Sequence, residues 1–135
     1  MEWVRAAIKE GASTNTPREY AKEHRIWHSP LHLAVLANYA EVVPLLVGEG
    51  NAEVDARSHM YPFYTPLQLA AAGGKVEMVK ILLLYGANPK LVAYLDDPKS
   101  CLPYFRPDPI QIAKSMNQKE VVLLLQEFVD NQEDV

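Results

Sequence analysis

Four histidines, one cysteine and a pair of adjacent aspartates in a loop are the residues of this chain whose types could do chemistry. His24 and His28 stand four apart, a spacing that on a continuous helix could hold a metal with Glu23 nearby. They immediately precede a helix-cap signal, however, where a continuous helix is not expected, so no metal site is assigned. Asp96 and Asp97 lie together in "YLDDPKSC". Adjacent acids in a loop are solvated turn formers, and no acid or base role is assigned to them. Cys101 is the only cysteine and has no CxxC partner to activate a thiolate, while its solitude excludes an internal disulfide framework. A triad signature, a phosphate-cradling glycine loop and a Walker pattern are all absent. No catalytic residue, metal or cofactor follows from these groups, so the informative residues are those that build the scaffold.

Three segments align without a gap: "SPLHLAVLANYAEVVPLLVGEG" from Ser29, "TPLQLAAAGGKVEMVKILLLYG" from Thr65 and "DPIQIAKSMNQKEVVLLLQEFV" from Asp108. Each has a Glu 11 residues after its proline, and the opening "EWVRAAIKEGASTN" matches the second half of the unit. Ser29, Thr65 and Asp108 offer an oxygen to a free amide at a helix start. Pro30, Pro66 and Pro109 follow at the first helical position, where a missing N–H costs nothing. A short first helix is predicted to end near Asn38, Gly74 or Asn117, residues that tolerate a left-handed backbone. A second helix is predicted to begin near the Glu, whose charge suits a helix start, and to run through "VVPLLV", "MVKILLL" or "VVLLLQEF". Pro44 is placed in its first turn, and Gly50 and Gly86 are expected to stop it in the same left-handed way.

The pattern resembles the ankyrin repeat over nearly the whole chain. The resemblance implies an all-α solenoid of stacked helix-turn-helix units with projecting hairpin fingers, whose hollow face of fingers and first helices binds another protein. It places a half repeat at 1–15, repeats at 24–57 and 60–92, an inserted loop at 93–107 and a terminal repeat at 108–129. It also gives His32, and Gln68 and Gln111 at the equivalent positions, the role of tying neighbouring units together. Asn15 falls where similar proteins can be hydroxylated. Positions six and seven after each proline (Leu36 and Ala37, Ala72 and Gly73, Ser115 and Met116) are implied to face the hollow, with the flat middle pair leaving a depression.

The chain departs from this family in its connectors. Successive prolines are 36 and then 43 residues apart against a family period of about 33, so the added length goes into the fingers. The turn glycine expected three residues before each proline is replaced by Trp27, Phe63 and Arg106. A turn requiring positive φ is therefore not expected to form in the usual way. "HRIWHSP", "HMYPFYTP" and "CLPYFRPDP" concentrate half of the chain's aromatic residues at equivalent places. Exposed aromatic clusters mark interaction surfaces. The candidate partner-binding residues are Arg25, Trp27, His28, Leu36, Tyr61, Phe63, Tyr64, Tyr104, Phe105 and Met116. The competing arrangement folds these loops back into a satellite core.

Composition bounds the function class. With 49% hydrophobic residues the chain can bury a real core, and a net charge of −4 offers no basic field for nucleic acid. No apolar run is long enough to span a bilayer, and the opening residues are too charged for a secretory signal, so neither a membrane nor a nucleic-acid partner is expected. A soluble protein of the cytoplasm or nucleus is the natural reading. Trp3, Val4, Ala7 and Ile8 leave the first helix with apolar surface to cover, consistent with a makeshift cap or a piece of a longer array. Leu123 stands where a polar residue is common, and the tail "DNQEDV" reads as a solvent-facing stop. The leading expectation is a non-enzymatic module that binds a protein or peptide through an aromatic-rich concave face. The alternative is a small-molecule-binding protein or an enzyme with a pocket enclosed by the aromatic loops.

Overall fold

The computed structural model describes residues 2–11, 13–15, 28–59, 63–93 and 106–133. Among the described residues, helix α1 (Glu2–Lys9) is followed by α2 (Pro30–Ala37), a 3-10 turn (Ala40–Val42) and a π turn (Pro44–Glu49). Then come α3 (Pro66–Ala72), α4 (Val76–Leu84), α5 (Pro109–Ser115) and α6 (Lys119–Glu133). Among the described residues there is no strand. The first helices pack in a row, α2 on α3 and α3 on α5, while α4 packs on α6 and α1 packs on the π turn. One continuous core results, with Leu31, Val35, Leu67, Met78, Leu82 and Leu125 fully buried.

The three helix starts form as the cap residues dictate. Ser29 Oγ accepts from His32 N, Thr65 Oγ1 from Gln68 N and Asp108 Oδ1 from Gln111 N. In the second and third units the glutamine side chain reciprocates, accepting from the cap residue's own N–H at 2.9 and 3.0 Å. Two orphan amides per helix end are thereby satisfied. Asn38, Gly74 and Asn117 all adopt the left-handed conformation, with φ of 60°, 67° and 59°, and turn the chain from the first helix to the second.

The second helix of the first full unit differs from expectation. Pro44 lacks the N–H that would bond the Ala40 carbonyl, and its ring crowds that carbonyl. The Val43 N–H takes the Ala40 carbonyl instead, which tightens the chain to a 3-10 turn. Beyond the proline the winding loosens to a π turn, closed by Gly50 N donating to Leu45 O at 2.8 Å. The wide turn takes up one extra residue. Gly50 consequently has φ −91°, and the left-handed stop falls on Asn51 at φ 54°, matching Gly11 at 91° and Gly86 at 93°. The expectation that Gly50 itself is the left-handed stop is therefore corrected. Gly50 is required for space: a Cβ there would lie 2.6 Å from Thr14 Cγ2 and 2.8 Å from Leu46 O.

The connectors carry a second correction. Phe63, at the position of the missing turn glycine, adopts φ 59°, so the left-handed turn forms despite the ring. Its loop is closed by Ser58 N donating to Tyr64 O at 2.9 Å. Arg57 donates from Nη1 to Phe63 O at 3.5 Å and from Nη2 to Val92 O at 2.9 Å, tying this connector to the next. At the base of the longest insertion, Ala93 N donates to Pro107 O at 2.8 Å.

Candidate functional site

Three ladders of hydrogen bonds hold the first helices and connectors in register, and each uses an equivalent position in successive units. In the first, His32 Nε2 meets Tyr64 O at 2.7 Å and Gln68 Nε2 donates to Leu91 O at 3.0 Å. A carbonyl can only accept, so Nε2 of His32 carries the hydrogen, and Nδ1 accepts from the Ser29 hydroxyl at 2.7 Å. Burial holds the His32 pKa down to about 4 from the usual 6.5, against the opposing pull of the Tyr64 bond and with help from the charges of His28 and His59. In the second ladder, Lys75 Nζ donates to Leu36 O at 3.4 Å and Gln118 Nε2 to Ala72 O at 3.1 Å. In the third, Asn15 Oδ1 accepts from Glu53 N at 2.9 Å and Asp55 Oδ1 from Asn88 N at 3.0 Å. The inter-unit use of His32 and Gln68 is as the resemblance implied. Gln111 closes its own capping box at an exposed position.

These ladders fix where the candidate contact residues stand. Phe63 and Tyr64 enter α3 from its N-terminal end, Phe63 with 39% of its surface exposed and Tyr64 half-buried with its carbonyl engaged by both His32 and Ser58. Leu36 near the end of α2 and Met116 at the cap of α5 are exposed by 48% and 56%. The two groups sit at opposite ends of seven- or eight-residue helices, roughly 10 Å apart at 1.5 Å per residue. His28 is half-buried, its Nδ1 shielded and without a hydrogen-bond partner, and its ring lies 5.9 Å from that of His32. Arg25, Trp27, Tyr61, Tyr104 and Phe105 lie outside the described residues, as do His24, Asp96, Asp97 and Cys101. Among the described residues no group of three His, Cys, Asp or Glu could hold a metal ion, and no helix is long and apolar enough to cross a membrane.

The flat Ala72–Gly73 pair does not remain a bare depression. Lys75 lays its stem over Gly73, where a Cβ would come within 3.1 Å of it, on the way to the Leu36 carbonyl. Sequence reasoning missed Leu33 and Tyr39, exposed by 54% and 60% and spaced three residues either side of Leu36. Leu33 and Leu36 stand three apart on one helix, and Tyr39 follows beyond the left-handed turn at Asn38. The segment "PLHLAVLA" is apolar all round, so helical periodicity offered no signal for which of its residues face water.

A family model for ankyrin repeats (3 copies) matches residues 2–93, which include α1, the first full unit and the second. No curated protein matches the chain. The third unit, beyond the matched residues, repeats the same cap, proline and left-handed turn. Ankyrin repeats generally mediate protein–protein interaction. From the capped first helices, the repeated ladders and this match over most of its length, the chain belongs to the ankyrin-repeat family.

Proposed function

We propose that the chain is a non-enzymatic module holding an extended protein or peptide segment along its first helices and connectors. The observation that carries this reading is Phe63, a half-exposed aromatic kept in a left-handed backbone conformation that glycine would adopt at less cost. At the opposite end of the first helices Leu36 and Met116 are exposed, with Leu33 on α2 and Tyr39 just beyond it, on elements held in register by the ladders. Rigid aromatic and apolar anchors are the side chains from which binding hot spots are made. Arg25, Trp27, His28, Tyr61, Tyr64, Tyr104 and Phe105 extend the proposed contact surface in the connectors, and the localisation proposed for such a module is the cytoplasm or nucleus.

The test is selection of binding peptides from a displayed random library on the intact chain, followed by affinity measurement against Phe63→Ala, Leu36→Ala and Met116→Ala. Truncation of a hot-spot side chain costs at least 2 kcal/mol, or about 30-fold, so losses of that order are expected for Phe63→Ala with an unchanged melting curve. Peptides that bind all three variants as well as the parent would place the binding surface elsewhere and sink the proposal. Selected binders that are uniformly displaced by a small apolar molecule would favour the enclosed-pocket alternative.

A further inference from the structure

The second ladder sets the ends of the first helices side by side. Lys75 Nζ reaches back to Leu36 O and Gln118 Nε2 to Ala72 O, so the ends of α2, α3 and α5 stand in one row. Leu36 is exposed at the first of these ends and Met116 at the last. Between them the end of α3 is flat, at Ala72 and Gly73, and the stem of Lys75 lies across it: a Cβ on Gly73 would meet Lys75 Cε at 3.1 Å and Cγ at 3.5 Å. The row therefore runs apolar, cationic, apolar.

Lys75 is half-buried, and its ammonium donates to a single carbonyl at 3.4 Å, which leaves the rest of its three N–H donors uncommitted. Among the described residues no carboxylate pairs with it; the ion pairs there join Arg5 to Glu49 and Lys80 to Glu77. Glu77, the acid nearest in sequence, is exposed and turned to Lys80 at 3.3 Å. Lys75 also stands at the N-cap of α4, where the helix dipole opposes a positive charge. A carboxylate brought to it would meet open donors and offset that charge. The equivalent positions in the neighbouring units, Tyr39 and Gln118, are uncharged, and Lys114 and Lys119 line the open end of the third unit instead.

We propose that this row takes one extended segment of a partner protein that carries a carboxylate between two apolar side chains. The carboxylate pairs with Lys75, and the apolar side chains rest on Leu36 and Met116. This rests on the reading of the first helices and connectors as the binding face, and gives the partner of that face a chemistry. Packed helices lie about 8–10 Å apart, so Leu36 and Met116 are about 16–20 Å apart, a span that an extended chain at about 3.3 Å per residue covers in about five or six residues. Because Lys75 Nζ leans toward Leu36, the acid lies nearer the anchor on Leu36 than the anchor on Met116. The apolar ends supply affinity, and the ion pair fixes register and choice of partner.

Peptides selected from a displayed random library on the intact chain, sorted by their dependence on Leu36→Ala and Met116→Ala, test this. Dependent peptides are expected to carry an Asp or Glu between two apolar residues. Replacing that acid by its amide is expected to weaken binding to the parent about tenfold, as loss of a hydrogen bond to a charged group does, and Lys75→Met to cause the same loss. Lys75→Met keeps the stem over Gly73, and a melting curve like the parent's establishes that it is folded. The two changes together are expected to cost no more than either alone. Lys75→Arg is expected to retain binding, and Lys119→Met, at an exposed lysine outside the row, to leave it unchanged. The amide peptide is measured on the parent, so its result stands even where Lys75→Met unfolds. Dependent peptides that lack an acid, or whose amide forms bind equally well, overturn the proposal and leave the binding face intact. So does a Lys75→Met loss that simply adds to the peptide's own. Peptides indifferent to Leu36→Ala, Met116→Ala and Phe63→Ala alike overturn the binding face and this inference with it.

Discussion

His32 has both ring nitrogens committed, one to the Ser29 hydroxyl and one to the Tyr64 carbonyl, and it is fully buried. A neutral ring satisfies both bonds, and a proton added at Nδ1 must be accommodated without water. With its pKa held near 4 in the folded state and about 6.5 in the unfolded chain, the unfolded state binds this proton first. The stability His32 contributes is therefore complete above pH 6.5 and falls away as the pH drops toward 4, by about 3 kcal/mol in total. Urea unfolding at a series of pH values is expected to show this decline. His32→Gln, which reproduces the arrangement at Gln68, is expected to remove most of it. Phe63 makes the opposite kind of prediction. Relief of its left-handed backbone in Phe63→Gly, less the entropy that glycine loses on folding, is expected to stabilise the chain by about 1 kcal/mol while weakening peptide binding. A Gly variant less stable than the parent would show that the ring is held by packing and not merely tolerated.

At the scale of elements, the helix starts were legible residue by residue, because Ser29, Thr65 and Asp108 followed by proline leave the backbone little choice. The left-handed turns at Asn38, Gly74 and Asn117 were legible for the same reason. The irregular second helix was not. Pro44 announces a fault, but whether the chain kinks, tightens or widens depends on what packs around it, and here Thr14 and Ile8 close on Gly50. Nor was the conformation of Phe63 legible, since side-chain bulk argues against φ 59° and only the closure by Ser58, Tyr64 and Arg57 overrules it. The crowding at Gly50 carries its own prediction. Gly50→Ala has an unremarkable φ of −91° to adopt, so on backbone grounds alone it would be neutral or stabilising. Its Cβ would strike Thr14 and the Leu46 carbonyl, and a loss of 1–3 kcal/mol is expected instead, as is usual for overpacking. Thermal melts of Gly50→Ala and of Gly50→Ala with Thr14→Ser, which removes the struck methyl but keeps the hydroxyl, separate the two accounts. Partial recovery in the double variant is the expected result.

Over the whole molecule, stability is a sum of units and the joins between them; all three ladders meet at the join of the two full units, while the joins on either side of it use only some of the rungs beside buried apolar faces. The candidate site was only partly legible at this scale. Apolar connectors before each cap could be read from composition, and Phe63, Leu36 and Met116 do reach solvent. Leu33 could not be read, because which face of an all-apolar helix meets water is decided by its neighbours and not by its own pattern.

The wide turn at Pro44–Glu49 changes what it means to count along this chain. Because one surplus residue is swallowed inside the winding, Asn51 resumes the beat that Gly11 and Gly86 keep, and the units on either side never feel the difference. An array that absorbs slippage internally can accept single-residue gains and losses in its outer helices without forfeiting alignment downstream. Its evolution is then free to lengthen and rewrite the connectors while the stack stays in step.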